Sequence, residues 1–274
     1  MKHLKSFFLL AGLSLIQAAN ADNTLEYLLT EAGEKPGKLQ AVVVKDGKVL
    51  LKGAGGGGNL DFIYSAIPEQ LSIIDHGKHS VMVLDESQID RIAKQTETVQ
   101  PLLQGVAGQI AKLDPKQRAK WEDMLGGKVS LDKIAEAAKP TPKSSVVKTG
   151  KVRKVADVAC EQMNVFQGKA QTAEFCLAEP ANLKLSAADY FTLRTLISFA
   201  DRLAAKTQGL AKQFGVDIPR LDLGDLAGMP IELRDVSGHG QGSLRLNRID
   251  AASVPAELMS IPEGYQTEPF KLWK

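Results

Sequence analysis

A chain of 274 residues in which 44% are hydrophobic can bury a real core, as one large domain or as two. Its 34 Lys and Arg stand against 32 Asp and Glu, so it lacks the surplus positive charge by which proteins neutralise nucleic-acid phosphates or settle on anionic membrane surfaces. Aromatic residues are only 5%, which leaves packing to Leu, Val, Ile and Ala.

The first element in chain order is an export signal. Lys2 and Lys5 precede an apolar run from Ser6 to Ile16, and the segment closes on Ala19-Asn20-Ala21, the small-x-small pattern a signal peptidase accepts. Cleavage is predicted between Ala21 and Asp22. The apolar run is about half of the roughly 20 residues that a membrane-spanning helix needs. No second span follows, and no cysteine near the cleavage point could take a lipid. Residues 1–21 are therefore read as a cleavable signal peptide. Residues 22–274 are read as a single α+β domain, soluble in the periplasm, with no integral membrane anchor in the mature chain. Without the two signal lysines the charges balance at 32 against 32, and no nucleic-acid partner is expected.

Strands come next. Leu39–Val44 and Lys48–Leu51 flank Asp46-Gly47, a strong two-residue hairpin signal. Leu60–Ala66, Leu71–Ile74 and Ser80–Leu84 follow, the last two joined by Asp75-His76-Gly77-Lys78, for a meander of about five strands. After Asp85 the hydrophobic period becomes helical. Ile89, Ile92 and Ala93 share a face, and Leu102, Leu103, Val106, Ala107, Ile110 and Leu113 keep the spacing of an amphipathic helix. Asp114-Pro115 reads as an N-cap with proline in the first turn. The helix it opens carries Trp121, Met124 and Leu125 and stops at Gly126-Gly127; a shorter helix is expected over Leu131–Ala138.

The alternating prolines of Lys139-Pro140-Thr141-Pro142-Lys143 mark a linker. Strands resume over Val146–Val155, where Lys148, Lys151, Arg153 and Lys154 are read as a solvated strand face. Cys160–Phe166 and Ala170–Cys176 then flank Gln167-Gly168-Lys169. A hairpin symmetric about Gly168 places Cys160 directly opposite Cys176, and in an oxidising compartment such a pair reads as a disulfide. Ser186 caps a long helix in which Tyr190, Leu193, Ile197, Ala200 and Ala204 recur, reaching to about Phe214. Pro230–Val236 and Ser243–Ile249 close the chain as strands. The predicted fold class is α+β: a curved, mainly antiparallel, half-barrel-like sheet covered by helices inserted at about 86–138 and 186–214.

Candidate chemistry is sparse. Gly53-Ala54-Gly55-Gly56-Gly57-Gly58 satisfies the G-x-G-x-x-G dinucleotide pattern, but that pattern requires a helix after its third glycine. Here Leu60–Ala66 reads as a strand, so a plain connection is expected, and no Gly-Lys-Ser/Thr follows to make a phosphate loop. His76 and His79, beside Asp75, lack the i, i+4 helical spacing of a metalloprotease and a third ligand. His239 sits in the glycine-rich loop Ser237–Gly242 with no nucleophile to serve. Glu122 and Asp123 read as a solvated helix face. No cofactor, metal or catalytic residue is implied, and the chain is read as non-enzymatic.

The segment Leu71-Ser-Ile-Ile-Asp-His-Gly-Lys-His-Ser-Val-Met-Val-Leu-Asp-Glu86, the helical block after it, Thr149-Gly-Lys-Val-Arg-Lys-Val and the Cys160 hairpin resemble the exported bacterial family known as domain of unknown function 4412. Phe175-Cys176-Leu177-Ala178-Glu179-Pro180 and Leu185-Ser186-Ala187-Ala188-Asp189-Tyr190 resemble that family's passage from hairpin to helix, so that the likeness spans roughly residues 60–205. The order of elements is also similar to the periplasmic lipoprotein carriers of the LolA and LolB type, in which helices cover a curved antiparallel sheet around an apolar cavity; Pro262-Glu-Gly-Tyr265 adds to it. The first resemblance transfers no residue role. The second implies a hydrophobic or lipid-like ligand between sheet and helices. The alternative is a structural or interaction module that meets another envelope protein and holds no ligand.

Overall fold

The computed structural model describes residues 22–30, 37–54, 58–91, 93–94, 105, 108–110, 112–124, 131, 144–213, 226–237 and 242–269. The export signal, Gly55–Gly57, the proline linker, His239 and most of the expected helical segments between residues 95 and 143 lie outside the described residues.

Alternating apolar residues and tight turns build one open sheet from twelve strands. These are β1 (Asn23–Thr30), β2 (Lys38–Lys45), β3 (Lys48–Ala54), β4 (Leu60–Ala66), β5 (Glu69–Asp75) and β6 (Ser80–Asp85). After the helical block follow β7 (Ser144–Val155), β8 (Val158–Gln167), β9 (Ala170–Ala178), β10 (Met229–Asp235), β11 (Ser243–Asp250) and β12 (Gln266–Glu268). Their spatial order is β12-β6-β5-β4-β3-β2-β1-β11-β10-β9-β8-β7. Pairing is antiparallel throughout, save that β12 runs parallel to β6. The fold class is thus α+β with a mainly antiparallel sheet, as the sequence predicts. The sheet is curved but not closed: β7 approaches β11 although three strands lie between them. Arg153 on β7 also makes an ion pair with Glu232 on β10, across β8 and β9.

Local chemistry explains the turns. Asp46 and Gly47 both take positive φ, 48° and 73°, which matches a two-residue hairpin turn to the right-handed twist of the strands. Ala156 and Asp157 do the same between β7 and β8, with no glycine to announce it. Nothing in the sequence pattern announces β1, which lies at the middle of the sheet and pairs along its length with both β2 and β11. No short turn ties it to β2, so the hairpin signal that located the other strands is lacking.

Described helical residues fall at 86–91 (α1), at 93–94, 105, 108–110 and 131, and in α2 (Pro115–Met124), α3 (Pro180–Leu183) and α4 (Ala187–Gln213). Asp114 caps α2 by accepting from the Gln117 amide at 2.8 Å, and Ser186 caps α4 by accepting from the Asp189 amide at 3.0 Å, both in the expected places. The face of α4 starts as predicted, with Tyr190, Leu193 and Ile197 on the core, and departs from it beyond, where Phe199 and Leu203 turn inward rather than Ala200. Leu193 and Phe199 are buried, with Leu196, Ile197 and Leu203 beside them, whereas Ala200 is exposed. Trp121 on α2 is likewise half exposed at 49%.

Two apolar clusters sandwich the β1–β6 half of the sheet. On the helix face, α4 packs on Val44, Val49 and Tyr64, with the Tyr64 and Phe199 rings 5.5 Å apart. On the opposite face, Val43, Leu50, Ile63, Ile74 and Val81 are covered by Val254, Met259 and Tyr265. These three knobs belong to a carboxyl-terminal strap, residues 251–268, that also carries a 3-10 turn (Ala256–Met259) and β12.

Candidate functional site

Antiparallel register partners project to one face of a sheet, so the ladders assign side chains to rows. Val44, Val49, Tyr64, Leu71 and Leu84 form one row across β2–β6 on the helix face. All but the half-buried Leu71 are buried, and α4 touches β2, β3 and β4. The next row is Val42, Leu51, Phe62, Ile73 and Met82, again partners strand by strand. Every one of its five side chains is only half buried. Beyond it, toward the far ends of these strands, the row turns mainly polar with Gln40, Asp75 and Ser80, Leu60 lying among them. An apolar row, bounded by helix on one side and polar groups on the other, therefore faces partly into solvent.

Ion pairs fix α4 beside this row. Tyr64 donates its hydroxyl to Glu69 at 3.1 Å, and burial pushes its phenol up to about 12, so that it remains a protonated donor. Glu69 in turn binds Arg202 of α4 at 2.5 Å. One turn on, Lys206 pairs with both Glu86 and Asp90, and its hydrogen bonds to Asp90 and then Glu86 hold its ammonium above the usual lysine range. The cluster ties α4 to β5 and α1 and leaves its own charges satisfied.

The histidines have partners that spacing alone does not reveal. His76 Nε2 lies 3.0 Å from the Asp61 carboxylate, and its Nδ1 lies 2.8 Å from the Tyr265 hydroxyl. Asp61 is fixed further by accepting from the Gly53 amide at 2.7 Å. The His79 ring sits 5.4 Å from that of Tyr265, and the His79 carbonyl accepts from the Gln266 amide. Asp75 caps its own turn, accepting from the Lys78 amide and ammonium. The cluster fastens the strap to the sheet edge, and its imidazole, carboxylate and phenol already engage one another. Among the described residues, no three His, Cys, Asp or Glu side chains gather as metal ligands.

Cys160 and Cys176 form a disulfide with a Cα–Cα distance of 5.4 Å. They are not directly opposite, however. The turn is centred between Gly168 and Lys169, because Gln167 pairs with Ala170, and a register shift between Val165 and Phe166 adds a residue. Cys176 therefore faces Gln162, and the bridge crosses the ladder diagonally. The glycine-rich segment leads from β3 to strand β4 and to no helix, as expected for a plain connection. Glu122 accepts from the Leu131 amide at 2.8 Å, while Asp123 is exposed on α2. On β7, Lys148, Lys151 and Lys154 are exposed as expected, but so are Val147 and Val152, whereas Arg153 is half-buried by its ion pair with Glu232.

No protein-family model matches the chain, and no curated protein matches it. A solved structure, "Structure of PNGF-II in C2 space group", is similar over 92% of this chain and 31% of its own, at 7% identity and a TM-score of 0.40. The chain spans less than a third of that protein's length, and a likeness this slight carries no argument.

Proposed function

We propose that the chain is a non-enzymatic periplasmic protein that holds a lipid-like or other hydrophobic ligand against the helix face of its sheet. The observation that carries this reading is the half-buried row Val42, Leu51, Phe62, Ile73 and Met82. At ordinary strand spacing the row is roughly 19 Å long, enough for a long acyl chain laid across the strands. Leaving five adjacent apolar side chains partly wet forgoes burial of about 25 cal/mol per Å², which a ligand would recover. The export signal and the disulfide support an oxidising compartment, and no described helix is long and apolar enough to cross a membrane. The resemblance to the LolA and LolB type of carrier points to the same face.

Native mass spectrometry and solvent extraction of protein purified from the envelope test the reading. A co-purifying apolar molecule is expected, and Phe62→Lys or Ile73→Lys should abolish it while circular dichroism stays unchanged. A reproducibly empty protein would sink the proposal. If cross-linking in intact cells then gave a specific protein adduct without lipid, the chain would be an interaction module of the envelope.

A further inference from the structure

We infer that the Ala21–Asp22 bond can be cut only before β1 enters the sheet, so that signal removal must precede completion of the fold. The inference rests on the export reading above and adds an order of events to it. Hydrolysis adds one water across the bond, leaving an Ala21 carboxylate and an Asp22 ammonium. A peptidase cleft must take several extended residues on both sides of the bond, and those on the carboxyl side are Asp22, Asn23 and Thr24.

In the folded protein these residues are occupied. Asp22 is 5% exposed and Asn23 is 2% exposed. The Asp22 carboxylate accepts from the Lys45 ammonium and the Val254 amide, both at 2.7 Å, with the Ser253 hydroxyl at 3.5 Å. Asn23 donates its side-chain amide to Asp189 at 2.6 Å, a buried contact with α4. Asn23 pairs with Val44, and Thr24 pairs with Val43 on one side and Asp250 on the other. Both sides of the strand are therefore taken, and the residue on the carboxyl side of the scissile bond, Asp22, is itself a buried anchor. A protease reaches such a segment only through the opened fraction of molecules.

The test uses the full chain of 274 residues, oxidised and folded, with purified signal peptidase in detergent and intact-mass readout. It is compared with the same chain diluted from denaturant directly into the peptidase. A second precursor carries a ten-residue Gly/Ser spacer between Ala21 and Asp22, which moves the bond away from the sheet without altering Ala19-Asn20-Ala21. Folded precursor should be cleaved at least about 100-fold more slowly than unfolded chain, and the spacer should restore cleavage of the folded form. Equal rates for folded wild type and spacer precursor would overturn the inference while leaving the export reading standing. If neither precursor is cut after Ala21 even when unfolded, the export reading itself falls, and the inference with it.

Discussion

Asp22 draws together three distant parts of the chain: its own strand, Lys45 at the end of β2 and the Val254 amide at the start of the strap. The hydrogen bond from Lys45 and then that from the Val254 amide hold its carboxyl below the usual carboxylate range. A carboxyl depressed in the folded state gives its full stabilisation above its unfolded value, near pH 4, and loses it as pH falls through the lower folded value. Protection of the Val254 amide against exchange, taken relative to its intrinsic rate at the same pH, should therefore fall in acid below about pH 4. Asp22→Asn should remove that acid dependence, and Asp22→Ala should cost about 1–3 kcal/mol in denaturant unfolding, because a buried amide and an ammonium lose their acceptor. On α4, two phenylalanines eight residues apart should behave differently. Phe199 is 1% exposed against Tyr64, whereas Phe191 is 57% exposed. Phe199→Ala should cost about 3–5 kcal/mol and Phe191→Ala within about 0.5 kcal/mol, measured on the same denaturation axis.

The β8–β9 hairpin shows how an element can be right in kind and shifted in detail. Two strands and a turn around Gly168 are legible from alternation and a glycine that takes φ of 63°. The extra residue, Thr172 on β9 opposite the Val165–Phe166 step, is not legible, because a bulge is chosen by the packing of both faces. The cysteines meet in either register, since both still project to the same side. Closing this loop should contribute about 2–4 kcal/mol, chiefly by restricting the unfolded chain. Cys160→Ala with Cys176→Ala should lower the free energy of unfolding by that amount in denaturant titration while leaving the far-ultraviolet dichroism of the folded state unchanged. Helix starts were legible for a related reason. Asp114 and Ser186 each satisfy an amide three residues on, a local interaction that needs no tertiary partner. The phase of α4 was legible only in its first part, at Tyr190, Leu193 and Ile197; Leu196, Phe199 and Leu203 are selected by the sheet row they meet.

Across the whole molecule, the two terminal segments complete the sheet: β1 joins its two halves, and the strap covers one face and shields the β6 edge. Removing residues 251–274 should expose Val43, Leu50, Ile63, Ile74 and Val81 together with that edge. Such a surface invites association, so the truncated protein should bind more hydrophobic dye than the intact chain and form larger species in light scattering. The α+β class, ten of the twelve strands, both helix caps and the cysteine pairing could be read from the sequence, because each depends on neighbours a few residues away. The half-buried row from Val42 to Met82, the meeting of His76 with Asp61 and Tyr265, and the grip of Asp22 on Val254 could not. Their partners lie up to 232 residues apart, and only strand order and register bring them together. Hydrophobic alternation determines that a strand will have one apolar face; which strands stand side by side, and whether that face is then covered or left open, is decided by the tertiary structure.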